Sequence, residues 1–115
     1  MTDDRAILRE LFGFAVEAAN PVTAVVQALP APPRGRTVVI AVGKAAIPMA
    51  RAVELNWPGR LEGLVIAPQG YAHDLTRLEV LHASHPVPDQ SSLVAADRAL
   101  ALAATLGPDD LLIAL

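Results

Sequence analysis

The sequence predicts an α/β domain in which helices cover both faces of a mainly parallel β-sheet. The run TVVIAV, residues 37–42, is rich in β-branched residues and apolar at every position but the first, as expected of a central strand covered on both faces. Further apolar runs at 62–67, 78–83 and 111–115 predict three more strands, and helical patterns lie between most of them. With 115 residues, the chain is long enough for one domain with its own core, and we predict a single domain over 1–115.

Two helices are predicted before the first strand. Asp3 or Asp4 can cap a helix that continues until Asn20 and Pro21 stop it. Its apolar side chains recur at helical spacing, so we expect one face of this helix to be buried. These side chains are Ile7, Leu8, Leu11, Phe12, Ala15 and Ala18. A shorter helix begins at Pro21, a residue that suits the first turn, and ends before the proline-rich segment 30–36.

The second half of the chain alternates helix and strand less regularly. A helix is predicted from about Ala45 to Asn56. The ten residues 68–77 between the second and third strands are few for a helical crossover, so this pair is either antiparallel or joined by an irregular short crossover. A helix over Ser91–Leu106 has a wide apolar face that we expect to be largely covered. The chain then turns and stops on the apolar strand 111–115.

Composition excludes several classes of function. The net charge is −3 and only four residues are aromatic, so the chain offers neither a basic surface nor a base-stacking platform. We therefore predict no nucleic-acid partner. The chain has no cysteine, which leaves no disulfide framework and makes the cytoplasm the default location. The longest uncharged stretch, 18–33, contains four prolines, and the chain begins with acidic residues. We therefore predict no membrane span and no export signal.

Lys44 is the only lysine in a chain with eight arginines, and it lies between a predicted strand and a predicted helix. A cation at a helix N-terminus costs about 0.3–1 kcal/mol unless an anion binds there too. Gly43 would let a phosphate or carboxylate approach the backbone. Alternatively, Lys44 extends into solvent and Gly43 only makes the turn. The segment matches neither the phosphate loop GxxxxGK[ST] nor the dinucleotide fingerprint GxGxxG.

Three segments resemble the N-terminal domain of glycerate 2-kinases. They are VVIAVGKAAIPMARAVE at 38–54, GLVIAPQGYAHD at 63–74, and the stretch from LEVLHASHPVPDQ at 78–90 to the end of the chain. The resemblance covers the chain from about residue 5 onward and is carried chiefly by VGKAA and HPVPD. The family comprises ATP-dependent enzymes that form 2-phosphoglycerate and that are often named hydroxypyruvate reductases.

The resemblance implies a Rossmann-like three-layer sandwich that is truncated here after a strand. It also implies that the nucleotide and glycerate bind in a cleft between this domain and a second one. In the family the last strand runs into a Gly- and Ser-rich loop. That loop, the rest of the domain and the C-terminal domain are absent from the 115 residues. The chain alone is therefore expected to be inactive, with the missing part of its own chain as a partner.

The resemblance also implies roles for individual residues. Lys44 matches the family's active-site lysine, and Gly43 and Ala45 flank it in the predicted binding loop. His85 and Asp89 match the HPxPD loop, and His73 matches a histidine in the loop after the second strand. The sequence departs from the family at Ala72 and Ser84, where glycine is usual. From the sequence alone, His85 could instead hydrogen-bond its own turn and Asp89 could cap the following helix.

The resemblance implies ATP and Mg²⁺ as cofactors, and the sequence identifies no protein metal site. His82 and His85 without cysteine do not indicate zinc, and Asp109 and Asp110 are predicted to form a turn at the edge opposite the ligand loops. Two other functions stay open, an NAD(P)H-dependent hydroxypyruvate reductase and a non-catalytic interaction domain. The absence of GxGxxG counts against the reductase.

Overall fold

The computed structural model describes residues 3–115; Met1 and Thr2 of the predicted domain lie outside the described residues. The elements are α1 (Asp4–Ala18), α2 (Pro21–Ala28), β1 (Thr37–Val42), α3 (Ala46–Asn56), β2 (Glu62–Pro68), β3 (Glu79–Ala83), α4 (Gln90–Ala103) and β4 (Leu111–Ala114). The strands form one parallel sheet in the order β3-β2-β1-β4. The predicted α/β class, with helices on both faces of a parallel sheet, is confirmed.

The β2–β3 connection is an irregular parallel crossover, which settles the alternative that the sequence left open. Strand β3 runs parallel to β2, with Val65 beside Val80, and no helix forms between the two strands. Leu75 and Leu78 of the connection are buried in the core beneath α3. These side chains replace part of the apolar face that a crossover helix would normally supply.

Each face of the sheet carries its own apolar cluster, because side chains alternate along a strand. We call them the α3 face and the α4 face after the helices that cover them. On the α3 face, α2 and α3 pack against the buried strand residues Val39, Ala41, Val65 and Ala67. On the α4 face, α4 packs against Leu64, Ile66, Leu81 and Ala83. The larger core therefore lies beneath α3.

Helix α1 forms where expected, but the prediction that one of its faces is buried is wrong. Its N-cap is Asp3, whose side chain accepts a hydrogen bond from the backbone N–H of Arg5 at 3.0 Å. No side chain of α1 is buried, and Phe12 is 71% exposed. Among residues 3–115, no strand and no other helix packs extensively against α1. Its apolar spacing therefore marks a face that no other described element covers.

Residues 4–28 have the length and the mean hydropathy, 1.2, of a membrane-crossing helix. Their backbone is nevertheless interrupted at Asn20, whose side chain caps α2 by accepting from the N–H of Val22 at 2.9 Å. The resulting helices have 15 and 8 residues, whereas a spanning helix needs about 20. Neither helix is long enough to span a bilayer alone.

The prediction that α4 is largely covered is also wrong. The helix ends at Ala103 rather than Leu106, and Ala95 is its only buried residue. Leu100 is 69% exposed. The reason is that α4 packs mainly on β2 and β3, so parts of β1 and β4 on the same face lie open. Val42 and Leu112 are exposed there.

The turn before β4 is built around Asp110, as predicted. Its carboxylate accepts hydrogen bonds from the backbone N–H groups of Gly107 and Arg36, both at 2.8 Å. These bonds and the Arg36 guanidinium lower the pKa of Asp110 below its ordinary value. The turn lies at the amino ends of the strands, opposite the loops that follow β1 and β3.

Candidate functional site

A cavity of about 670 Å³ lies at the carboxyl edge of the sheet, on the α4 face. The loops after β1 and β3 contribute Gly43, Lys44, Ser84 and His85 to its lining. The remaining lining residues are mostly apolar: Val42, Ile66, Ala67, Pro68, Ala83, Ser92, Ala96, Ala99 and Leu100. Because β1, β2 and β3 are parallel, Lys44 and His85 lie at the same edge, as the sequence predicted.

The β1–α3 turn presents Lys44 without a protein partner. Gly43 has φ of +117°, which favours glycine, and its N–H donates to the carbonyl of Ile66 at 2.9 Å. Lys44 is exposed and, among residues 3–115, forms no side-chain hydrogen bond or ion pair. Ala45 is the N-cap of α3, does not line the cavity, and leaves the first turn without a side-chain cap. Lys44 thus adds its charge to the positive end of the helix dipole.

The HPVPD loop joins β3 to α4 and is held by a capping network. Asp89 caps α4 by accepting from the N–H of Ser91 at 2.8 Å, and Ser92 Oγ accepts from the N–H of Asp89 at 3.1 Å. The other carboxylate oxygen of Asp89 accepts from Ser84 Oγ at 2.5 Å. The hydrogen bonds from Ser84 and Ser91 lower the pKa of Asp89. Its carboxylate serves as the cap and does not line the cavity, so its predicted binding role stays a prediction.

His85 lines the cavity and precedes a cis peptide bond to Pro86. Its ring forms no hydrogen bond among the described residues, so the imidazole nitrogens are free to contact a ligand. The alternative in which the His85 ring hydrogen-bonds its own turn is therefore not what the structure shows. Its part in substrate or nucleotide binding stays a prediction.

His73 lies outside this cavity. Its ring centroid is 6.4 Å from that of His82, whose Nε2 hydrogen-bonds the carbonyl of Tyr71 at 2.9 Å. Residue alternation along β3 places His82 on the α3 face with Val80, whereas the cavity opens on the α4 face. His73 therefore lies beside His82 of the α3 face, whereas Lys44 and His85 line the cavity on the α4 face. The predicted binding role of His73 stays a prediction.

The cavity suits an anionic group better than a metal ion. Lys44 and the uncapped N-terminus of α3 supply positive charge, and phosphate oxygens are natural acceptors for both. No carboxylate lines the cavity, and no three His, Asp or Glu side chains cluster as metal ligands within residues 3–115. A phosphate thus fits this part of the chain, whereas a Mg²⁺ ion held directly by its carboxylates does not.

Two features of this region were not predicted from the sequence. One is the apolar wall of Ile66 and Leu100. The other is Glu54, a buried carboxylate on the core-facing stripe of α3 with Ile47 and Ala50. A charged residue four positions after Ala50 and seven after Ile47, on the same apolar stripe of the helix, was the available signal. Such a carboxylate needs hydrogen-bond partners, and the partners of Glu54 lie in the β2–β3 crossover.

Comparison with known proteins gives consistent matches along nearly the whole chain. Residues 7–115 match the family described as Domain of unknown function (DUF4147). An Agrobacterium vitis protein named as a hydroxypyruvate reductase is 49% identical over 112 residues, which are 96% of this chain and 26% of that protein. The glycerate 2-kinase of Pyrococcus horikoshii is 36% identical over 112 residues, covering 87% of this chain and 25% of that protein.

Solved structures give the same result. A crystal structure of a Pyrococcus horikoshii protein superimposes with a TM-score of 0.82 and 32% identity, over 99% of this chain and 29% of that one. The crystal structure of a glycerate kinase from Thermotoga maritima gives 0.81 and 30%, over 91% of this chain and 26% of that one. The chain therefore spans about a quarter of the length of the relatives it matches.

Proposed function

The chain belongs to the DUF4147 family, whose domain is the N-terminal domain of glycerate kinases, and we propose that it is the N-terminal part of an ATP-dependent glycerate 2-kinase. The proposed reaction transfers the γ-phosphoryl group of ATP to the 2-hydroxyl of D-glycerate. The bond from phosphorus to ADP breaks, a bond to the glycerate oxygen forms, and the hydroxyl proton is released. The products are 2-phosphoglycerate and ADP.

One observation carries this proposal: Lys44 has no protein partner among residues 3–115 and lies with His85 in a single cavity beside an uncapped helix N-terminus. Phosphoryl transfer depends mainly on positioning and on stabilising negative charge. In the proposed role, the Lys44 ammonium neutralises charge on the phosphoryl oxygens, and Gly43 and Ala45 leave the adjacent backbone accessible to them. His85, which lines the same cavity, binds glycerate or the nucleotide.

ATP-dependent transfer also implies Mg²⁺, which when bound would supply further positive charge to the phosphate groups. No carboxylate among residues 3–115 lines the cavity, so in this proposal any protein ligands of the ion come from the rest of the full-length polypeptide. The chain's own contribution in this proposal is the charge of Lys44 and the shape of the apolar wall. The proposed location is the cytoplasm.

The open half of the α4 face supports the proposal that a longer chain completes the domain. Helix α3 leads from β1 to β2, and α4 leads back across the sheet from β3 to β4 on the opposite face. Because parallel crossovers are right-handed, a further strand beside β4 would place its helix on the α4 face, next to the exposed side of β4.

The name of the Agrobacterium vitis relative favours a second candidate, an NAD(P)H-dependent hydroxypyruvate reductase. The chain has no GxGxxG fingerprint after β1, and Ala67 and Pro68 stand where an acidic residue at the end of β2 would hold the ribose. The kinase is therefore the better-supported function of the two.

Two assays on the full-length polypeptide that carries this segment separate the candidates. With ATP, Mg²⁺ and D-glycerate, we expect formation of 2-phosphoglycerate, whereas hydroxypyruvate should cause no oxidation of NADH or NADPH. The isolated 115-residue chain should be inactive in both assays, because the second wall of the cleft is missing. ATP-dependent turnover by the isolated chain would contradict the fragment proposal, and NAD(P)H oxidation by the full-length polypeptide would contradict the kinase.

A further inference from the structure

Glu54 is a buried carboxylate that the proposed chemistry does not use. It is 8% exposed and lies in the last two turns of α3. Its carboxylate accepts hydrogen bonds from the backbone N–H of Thr76 at 2.9 Å, from Thr76 Oγ1 at 3.2 Å and from the backbone N–H of Arg77 at 2.9 Å. All of these donors belong to the β2–β3 crossover. Glu54 therefore ties this crossover to α3.

Two arginines reinforce the same connection. Arg51, one turn before Glu54 on α3, forms an ion pair with Asp74 of the crossover. The Arg77 guanidinium donates to the carbonyls of Glu54 at 2.8 Å and Trp57 at 3.3 Å, and also to that of Gly59. It thereby satisfies carbonyls at the C-terminal end of α3 that lack helical partners. Charged side chains of both α3 and the crossover therefore contribute to the bonds that join these two segments.

The anchored residues come immediately after His73. Residues 74–78 are held by these polar bonds and by the burial of Leu75 and Leu78, whereas residues 69–73 are exposed. The same helix α3 begins beside Lys44 at the cavity. Helix α3 therefore connects the turn that carries Lys44 to the segment that follows His73.

We propose that Glu54 is a positioning residue, which with Arg51 holds the His73 segment at a fixed distance and orientation from Lys44. The proposal rests on the proposed kinase function, with His73 contacting a substrate that extends beyond the cavity lined by Lys44 and His85. Burial opposes ionisation of Glu54, but the hydrogen bonds from Thr76 and Arg77 outweigh it and lower the pKa of this carboxyl. The anchor is therefore charged at neutral pH, which strengthens its hydrogen bonds.

Amide hydrogen exchange on the 115-residue chain tests the anchor directly. In Glu54→Gln, one carboxylate oxygen becomes an NH₂ group that faces an N–H donor, so that a buried donor loses its partner. We expect the amides of residues 74–78 to exchange at least about tenfold faster, with little change in β1. The matched control is Glu10→Gln on the exposed helix α1. Unchanged exchange at 74–78 would overturn the anchor.

Steady-state kinetics on the full-length polypeptide test positioning. If Glu54 acts through His73, Glu54→Gln should raise KM for glycerate by roughly tenfold, while kcat falls by less than about threefold. His73→Ala should raise KM similarly, and the double variant should be no worse than the worse single variant. Glu54→Asp keeps the charge but is one methylene shorter, so it should restore part of the lost affinity.

Three outcomes would count against the proposal. The first is an unchanged KM in Glu54→Gln, and the second is additive effects of Glu54→Gln and His73→Ala. The third is a loss of activity that matches the loss of folded enzyme, with a normal KM. Each would show that Glu54 has only a structural role. If wild-type full-length polypeptide forms no 2-phosphoglycerate, the proposed function is wrong and the positioning role falls with it. The exchange experiment still decides whether Glu54 anchors the crossover, so the two failures are distinguishable.

Discussion

Replacing Lys44 with alanine in the full-length polypeptide is the sharpest test of the proposed site. Lys44 is exposed and makes no ion pair or side-chain hydrogen bond in the part of the chain that the structure describes. Its removal should therefore cost the fold nothing. Because the side chain lies beside the positive end of α3, the loss of its charge should raise the free energy of unfolding by a few tenths of a kcal/mol.

The effect on turnover should be much larger than the effect on folding. Removal of one preorganised electrostatic donor from a transition state typically lowers kcat by about 10²–10³, which is the loss we expect for Lys44→Ala. Lys44→Arg keeps the charge but replaces a compact ammonium with a broad planar group. In a cavity already lined by Val42 and Leu100, we expect this variant to recover only part of the rate.

The assay measures glycerate-dependent formation of 2-phosphoglycerate by wild type, Lys44→Ala and Lys44→Arg, together with their thermal melts. Arg60→Ala, which removes an exposed cation from the loop before β2, is the matched control and should retain wild-type turnover. A small gain in stability with near-wild-type turnover in Lys44→Ala would show that this side chain only extends into solvent. That result would refute the catalytic assignment.

Three further predictions concern the fold. Gly63→Ala would place a Cβ 2.2 Å from the backbone oxygen of Val39 in the adjacent strand, so it should destabilise the chain by about 3 kcal/mol; an unchanged urea midpoint would contradict this packing. The lowered pKa values of Glu54 and Asp110 mean that the folded state binds fewer protons than the unfolded state. The contribution of these carboxylates to the free energy of unfolding should be complete above pH 4.5, the ordinary pKa of Glu, and should decrease as the pH falls below it. Acid titration followed by circular dichroism checks this. Leu112→Cys should react rapidly with a thiol reagent in the 115-residue chain and at least about tenfold more slowly in the full-length polypeptide; equal rates would show that nothing covers the open face.

The secondary structure was predictable because its signals are local. The β-branched run of β1, the cap residue Asp3 and the break at Asn20 each act over a few neighbouring residues. The burial of α1 and α4 was not predictable, because an apolar stripe shows that a helix face suits burial without showing what covers it. Among residues 3–115 no element covers these two faces, and Phe12 and Leu100 are exposed.

The site was predictable only as far as topology determines it. Parallel strands bring the residues that follow them to one edge, so Lys44 and His85 could be placed together from the strand pattern. The position of His73 depends instead on contacts between residues 22 and 23 positions apart, from Glu54 to Thr76 and Arg77. No local pattern encodes contacts of that range, so the sequence alone could not place His73 on the α3 face.

The chain's bias towards arginine makes the place of its single lysine informative. Arg36, Arg51 and Arg77 each use a planar guanidinium with several donors to join elements that are distant in sequence. Such a group reaches two or three acceptors at once, which suits a structural link. Within the described residues, the Lys44 side chain in the turn after β1 has no protein acceptor and lines a cavity instead. A compact ammonium there is suited to a ligand oxygen that arrives and leaves, which supports assigning Lys44 to phosphoryl transfer rather than to the fold.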